Sequence, residues 1–526
     1  MEWKSTVLET IQYMRMEKVI YKDYVPQEAI TRGENLKNVT KDLSEDILLE
    51  IVRMLKLEIP KEYPYPAVYW YSVLLNLKKE PDMMDELIEY ILKNKDVFSA
   101  NTLYFLYYQL KTLKFTFSLL FDRQSTTELL WKLYLEIVDL FLNETSTSLD
   151  YIPYDKRNHD LVIVIAEQII GVEHGPTKTA FDRCKIIMDK MKKSVLLINT
   201  TEVLSNVGSI PFSNTVIANV MLQKELEEFQ EWKGTQIPFY QCPYNMPNLE
   251  SINNLLSDIK ELAPGRVVAI GGSSILSNLV NKMIPVVTIG LCPSELAYTS
   301  TTYQTLSCKL TNDDLKLLCN LGFHKDHVIE SIFTSSLKVQ QEKITKETLG
   351  IDKKQFLIIV VGGRLKEEVT DEFLEAMQDI IRDDIHLGFL GRFQDYDIRM
   401  EKYPRLNKHA SYFGFCSDIL SRMEICDLYV NPTRRGGGTS CVEAMYMGVP
   451  VVTTKYGDVA TNVGDEFCVE DYSEMKQKIM QYYTDRAYYM EMSQKAKKRT
   501  EVLLDTEGEF VRIMREVDRR ECMLEQ

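Results

Sequence analysis

Apolar residues recur at three-to-four spacing, with charges between them, through residues 43–59 (LSEDILLEIVRMLKLEI), 83–98 (MMDELIEYILKNKDVF) and 126–144 (TTELLWKLYLEIVDLFLNE). That spacing predicts amphipathic helices. Short polar or proline-bearing joints separate them and no fixed repeat period is visible, so residues 1–150 are expected to form a helical accessory domain and not a solenoid. Its aromatic residues, among them Tyr69, Trp70, Tyr104 and Tyr107, read as core. After Tyr151-Ile152-Pro153 the pattern changes. Continuous β-branched runs at 161–170, 194–200, 266–272 and 285–291 alternate with helix-like stretches at 225–234 (ELEEFQEWKG) and 249–263 (LESINNLLSDIKELA). Uninterrupted apolar strands between amphipathic helices predict a parallel sheet covered on both faces. One doubly wound domain is therefore expected over 151–335. The same alternation restarts at FLIIVVGGRL (356–365) and runs through strands at 386–393, 410–415 and 427–432, predicting a second such domain over 336–505. Residues 506–526 hold a closing amphipathic helix whose docking place the periodicity does not fix.

Composition narrows the classes. A chain of 526 residues exceeds a single core and suggests about three domains. A net charge of −15 argues against a general nucleic-acid binder. The ten cysteines include no Cys-x-x-Cys pair, and the first is Cys184, which reads as reduced thiols in a cytosolic protein. The opening MEWKSTVLETIQYMRMEK carries charges throughout and lacks the apolar core of a signal peptide. No run reaches the roughly 18 apolar residues of a membrane span. The expected location is cytoplasmic.

Candidate chemistry concentrates at 427–454, DLYVNPTRRGGGTSCVEAMYMGVPVVTT. A short apolar strand, three glycines (Gly436, Gly437, Gly438), a helix opening at Thr439 and Ser440, and a second strand make an anion seat. Glycines let bare N–H groups approach a ligand, and the helix points its positive end at the same place. Glu443, one turn inside, would accept hydrogen bonds from sugar hydroxyls. In the first doubly wound domain, GVEHGPTKTAFDRC (171–184) follows the first strand, and His174 is the candidate base, with Lys178 or Glu173 as local partners. GGSSILSN (271–278) is a second glycine turn but lacks the Gly-Lys-Ser/Thr ending of a P-loop. VVGGRL lacks the spaced glycines of a dinucleotide fingerprint and the six histidines show no metal-ligand spacing, so no cofactor and no metal are expected.

Four separated motifs, VVGGRL (360–365), FLGRF (389–393), YFGFCSDILSRMEICDLYVNP (412–432) and GGGTSCVEAMYMGVPVVTT (436–454), occur in the order and spacing of the donor-binding half of GT-B-fold glycosyltransferases, which this segment resembles. The resemblance implies an α/β GT-B architecture of two doubly wound Rossmann-like domains facing a cleft, preceded by the α-helical domain. It implies a nucleotide-sugar donor, with Arg364 on the diphosphate, Lys366 as a helper, and Phe415 and Cys416 in the loop that holds the base. Gly437, Gly438, Thr439 and Ser440 would seat the phosphates, and Glu443 would bind the ribose. Arg435 stands where many retaining members carry the first carboxylate of a Glu-x7-Glu pair, and would add positive charge near the phosphates. The expected activity is metal-independent transfer from a nucleotide-diphosphate sugar, such as a UDP-hexose, to a protein or glycan acceptor, with Arg364 and His174 as the catalytic residues. The helical domain is expected to serve a partner subunit or self-association. Two further classes stay open: a GT-B-like sugar-nucleotide epimerase, and a non-catalytic glycan-binding or scaffold subunit.

Overall fold

The computed structural model describes residues 2–20, 24–171, 174–202, 211–213 and 228–524. Helices fill the chain before residue 150, among them Glu45–Lys56, Pro81–Lys93, Ala100–Thr116 and Gln124–Glu144. Two sheets follow. The first contains β1 (Asn158–Ala166), β2 (Ser194–Asn199), β3 (Phe229–Trp232), β4 (Thr235–Gln241), β5 (Pro264–Ile270), β6 (Val286–Ile289), β7 (Tyr303–Leu306) and β8 (Val328–Glu330), in the order β3-β4-β2-β1-β5-β6-β7-β8. The second contains β9 (Phe356–Gly362), β10 (Ile385–Gly391), β11 (Ala410–Tyr412), β12 (Leu428–Asn431), β13 (Val451–Thr454) and β14 (Cys468–Val469), in the order β11-β10-β9-β12-β13-β14. Every pairing is parallel except β3 with β4. Both sheets are doubly wound. Strand order reverses between β1 and β5 in one and between β9 and β12 in the other, which fixes where a ligand crevice opens at the C-terminal strand ends.

Alternation along β1 shows how the layers join. Ile163 and Ile165 belong to a core continuous with the N-terminal helices, whereas Val162 and Val164 face the opposite layer of Phe181, Phe510 and Met514. The helical unit therefore shares a core with one face of the first sheet. Tyr104 and Tyr107, expected as core of a separate domain, are buried against that sheet, their hydroxyls reaching the Ser273 carbonyl (3.0 Å) and Oγ (2.7 Å). The closing helix Thr506–Leu524 leaves the second unit and packs on the first, where Asp518 meets Arg266 (2.6 Å) and Glu521 meets Arg157 (2.5 Å).

One expected helix is absent. Residues 229–241 form the β3–β4 hairpin, and residues 225–227 lie outside the described residues. Lys233 (φ 47°) and Gly234 (φ 78°) both adopt left-handed backbone, the geometry of a tight two-residue hairpin turn, and this overrides the glutamate-rich helical signal.

His327, just before β8, is nearly buried. Burial brings its pKa down to about 4, against a small upward pull from the Thr302 carbonyl. Its Nδ1 donates to that carbonyl (3.2 Å) and its Nε2 accepts from the Gln304 amide (2.8 Å), whose orientation is set by the Ala297 N–H on its other end (2.7 Å). A second ring proton has no acceptor there. The unfolded chain, with a histidine pKa of about 6.5, binds more protons between those values, so this neutral histidine's contribution to stability is lost as pH falls from about 6.5 toward 4. The gap in thermal midpoint between the native chain and His327→Gln is expected to shrink between pH 7 and pH 5; a constant gap would contradict it.

Candidate functional site

The second sheet's switch point carries the glycine loop. Arg434 locks it from below: its Nε donates to Asn431 Oδ1 (2.8 Å), and its other nitrogens reach Glu368 (2.5 Å) and the Val361 carbonyl, tying the ends of β9 and β12 together. Gly437 sits at φ 104°, and a Cβ there would meet Arg434 and Asn431 within 3.0 Å, so the turn requires glycine. The helix Gly438–Tyr446 starts from this residue. Ser440 Oγ donates to the Gly437 carbonyl (3.1 Å) and pairs with the Tyr429 hydroxyl (2.9 Å), and Glu443 is buried a turn further in. Arg364 stands beside the loop. Its Nη2 donates to Glu368 (2.7 Å) and would lie 3.2 Å from a Cβ at Gly436, and its buried Nε has no hydrogen-bond partner. A guanidinium next to a glycine turn that opens a helix is an arrangement that attracts an anion.

The other donor-side candidates lie around the same edge. Phe415 follows β11 and is 68% exposed, an open aromatic face. Cys416 is half-buried and its thiol reaches the Asp418 carbonyl (3.3 Å). Lys366 is exposed on the short helix Leu365–Glu368.

Across from the glycine loop stands the first unit's helix Gly175–Asp189, with His174 as its N-cap residue. Its first turn and Thr439 line one cavity of about 90 Å³, so two helix N-termini border the same space. The linker between the units closes its far side with Thr334, Ser335 and Ser336. Arg183 lies deep in this wall. It is buried, bonds Thr334 Oγ1 through Nη2 (3.2 Å), and its Nε, like Ser335 Oγ, lacks a partner. Burial lowers its pKa to about 10 despite Asp182. His174 is half-buried, with Nδ1 3.4 Å from Thr177 Oγ1. Burial first and Lys178 second bring its pKa to about 4, so it is neutral at physiological pH. Glu173 lies outside the described residues.

Arg435 is occupied differently from the phosphate-facing role its position suggested. Its guanidinium reaches Asp122 of the helical unit, and Ser294 (3.0 Å) and Glu295 (3.6 Å) of the first α/β unit, above the Tyr456 ring. Lys114 completes a cycle by bonding both Asp122 (3.0 Å) and Glu295 (2.6 Å). Burial favours a neutral Glu295, but Lys114 and Arg435 outweigh it and hold the carboxyl down to about 2. Next to the ring, Asp458 accepts from Ser294 Oγ (2.9 Å), and burial lifts its pKa to about 7.

Sequence reasoning missed Arg434, Arg183, Asp122 and Glu295. The Arg434-Arg435 pair ahead of three glycines was a usable signal, since two arginines in a buried strand end require carboxylates. Asp122 and Glu295 carry no local signature. Among the described residues, no three His, Cys, Asp or Glu side chains cluster as a metal would need, and no helix is long and apolar enough to cross a membrane.

Residues 341–499 match the family of glycosyl transferases group 1. A sequence search of curated proteins returns no match. Among solved structures, a mutant of Thermobaculum terrenum O-GlcNAc transferase aligns over 99% of this chain and 98% of its own at 12% identity and a TM-score of 0.55. A glycosyltransferase from Rickettsia africae aligns over 68% of this chain and 98% of its own at 14% identity and a TM-score of 0.51. Anabaena HepE in complex with UDP aligns over 68% and 99% at 12% identity and a TM-score of 0.50. At these identities the structures speak to fold, and the fold they share is the two-sheet arrangement described above. The second α/β unit is thus a group 1 glycosyl transferase domain, carried in a chain of GT-B fold.

Proposed function

We propose that this protein transfers a sugar from a nucleotide-diphosphate donor to a protein or glycan acceptor. The observation that carries the reading is the cavity shared by Thr439 and the first turn of Gly175–Asp189, with the Arg364 guanidinium beside the adjoining glycine loop. A diphosphate placed there meets two helix N-termini, and Arg364 brings a permanently charged guanidinium to the glycine loop beside it. The exposed Phe415 face suits the base, and Glu443 suits the ribose hydroxyls. The UDP in the Anabaena structure supports a uridine nucleotide as the first donor to try.

In the proposed reaction, an acceptor oxygen or nitrogen bonds to the anomeric carbon. The bond from that carbon to the diphosphate oxygen breaks, and its electron pair leaves with the diphosphate. Stabilising that growing charge is the main task, and Arg364 and the helix dipoles address it without requiring a resident metal ion. The acceptor's proton passes to a base. His174 is the candidate, being neutral and at the head of the helix that borders the cavity. Cleft closure excludes water that would otherwise take the sugar.

Arg364→Ala is expected to lower donor turnover by about 100-fold, and Glu443→Ala to raise the donor KM, both with the thermal midpoint retained. Unchanged turnover in both variants would defeat the assignment. Mass detection of product from a panel of nucleotide sugars should show nucleoside diphosphate released only with acceptor present; conversion of donor alone would favour an epimerase. Transfer should persist in excess EDTA, and loss that Mg²⁺ or Mn²⁺ restores would overturn the metal-free reading. With His174 as base, log kcat/KM should run flat from pH 5 to 8 and bend near its pKa of about 4, and His174→Gln should abolish the bend. A bend near 6.5 that survives in His174→Gln would assign the base elsewhere.

A further inference from the structure

One helix of the N-terminal unit, Ala100–Thr116, touches both switch points of the molecule. Tyr104, Tyr107, Lys111, Lys114 and Phe115 follow three-to-four spacing and share one face. The first three converge on Ser273 at the end of β5, where Lys111 Nζ bonds Ser273 Oγ at 2.6 Å. The last two reach the second sheet's crevice: Phe115 lies under the Arg364 guanidinium (4.6 Å to the ring centre), and Lys114 joins the cycle that holds Arg435.

We propose that the helical unit is a working part of the donor site, with Asp122 and Phe115 as positioning residues that set the glycine loop through Arg435 and Arg364. The role rests on the reading of that loop as a diphosphate seat. The cycle runs Lys114, Asp122, Arg435, Glu295 and back, alternating in sign, and its side chains are 4%, 21%, 6% and 18% exposed. Its net charge is zero, so each member is compensated only while the other three are in place. Tyr456 adds a hydroxyl donated to Asp122 (2.8 Å), and the Arg435 carbonyl takes the Asp458 N–H (2.8 Å), so the residue is fixed through both side chain and backbone. Arg435 immediately precedes three glycines, whose backbones have the widest intrinsic freedom of any residue. Anchoring its first residue from a second and a third unit removes freedom that donor binding would otherwise have to remove. Phe115 acts on the cation itself. Its ring covers one face of Arg364 and, together with the Glu368 carboxylate on Nη2, holds the guanidinium beside Gly436.

The test uses the full chain and two independent variants, Asp122→Asn and Phe115→Leu, with Asp122→Glu as the conservative control. Hydrogen exchange of amides 435–440 is expected to quicken in Asp122→Asn, with exchange in 100–116 unchanged and Asp122→Glu intermediate. The Kd for UDP is expected to rise about tenfold in Asp122→Asn and Phe115→Leu. Unaltered exchange of the loop in Asp122→Asn would overturn the proposal, as would undiminished UDP affinity in both variants. If the native chain does not bind UDP yet the loop still loosens in Asp122→Asn, the positioning role stands and the nucleotide reading fails, so the two failures are separable.

Discussion

The constraint on which the site depends is the closed cycle of Lys114, Asp122, Arg435 and Glu295. Two cations are buried where three structural units meet, and two carboxylates form ion pairs with both of them. Each carboxylate serves both cations. Removing one partner of a buried pair costs roughly 3–5 kcal/mol, because the remaining charge cannot return to water. The cycle therefore fixes the helical unit, the Glu295 turn of the first α/β unit and the glycine loop of the second as one assembly. Arg434, one residue earlier, performs the same task within the second unit by joining β9 to β12. The loop is thus held on both sides by consecutive arginines before its glycines begin.

That anchoring gives the cleft its chemistry. Two doubly wound sheets bring their switch points to a common space, and the segments after β1 and β12 both enter helices whose N-termini border it. Besides the two helix N-termini, Lys178 and Arg183 bring positive charge to the wall of that space, with Asp182 among them, and Arg364 stands at the adjoining glycine loop. The net charge of −15 is carried elsewhere and does not prevent a local anion seat. His174, kept neutral by burial, sits at the rim of the same space.

Much of this was legible in the sequence because it is local. Continuous apolar runs marked β1, β2, β5, β6, β9, β10 and β12, and the three glycines marked the turn into the helix at Gly438. The β3–β4 hairpin was not legible, since its turn depends on left-handed backbone at Lys233 and Gly234 within a glutamate-rich stretch that reads as helix. Tyr104 and Tyr107 were recognised as buried, but their partner surface on Ser273 comes from the chain far downstream. Arg435 was noticed as a departure from the family pattern. Its principal partner, Asp122, lies 313 residues away, and no periodicity or motif relates the two. The sequence carried the elements and the loop chemistry; the joining of units rests on tertiary contacts between singly placed charges.

The central claim is that a nucleoside diphosphate lies between the two helix N-termini. The most direct measurement is a crystal structure of the full chain grown with UDP. The account predicts diphosphate density bounded by Gly437–Thr439 on one side and by residues 175–178 on the other, with an Arg364 nitrogen within hydrogen-bond distance of a phosphate oxygen. UDP bound elsewhere, or an empty cleft at millimolar UDP, would contradict it.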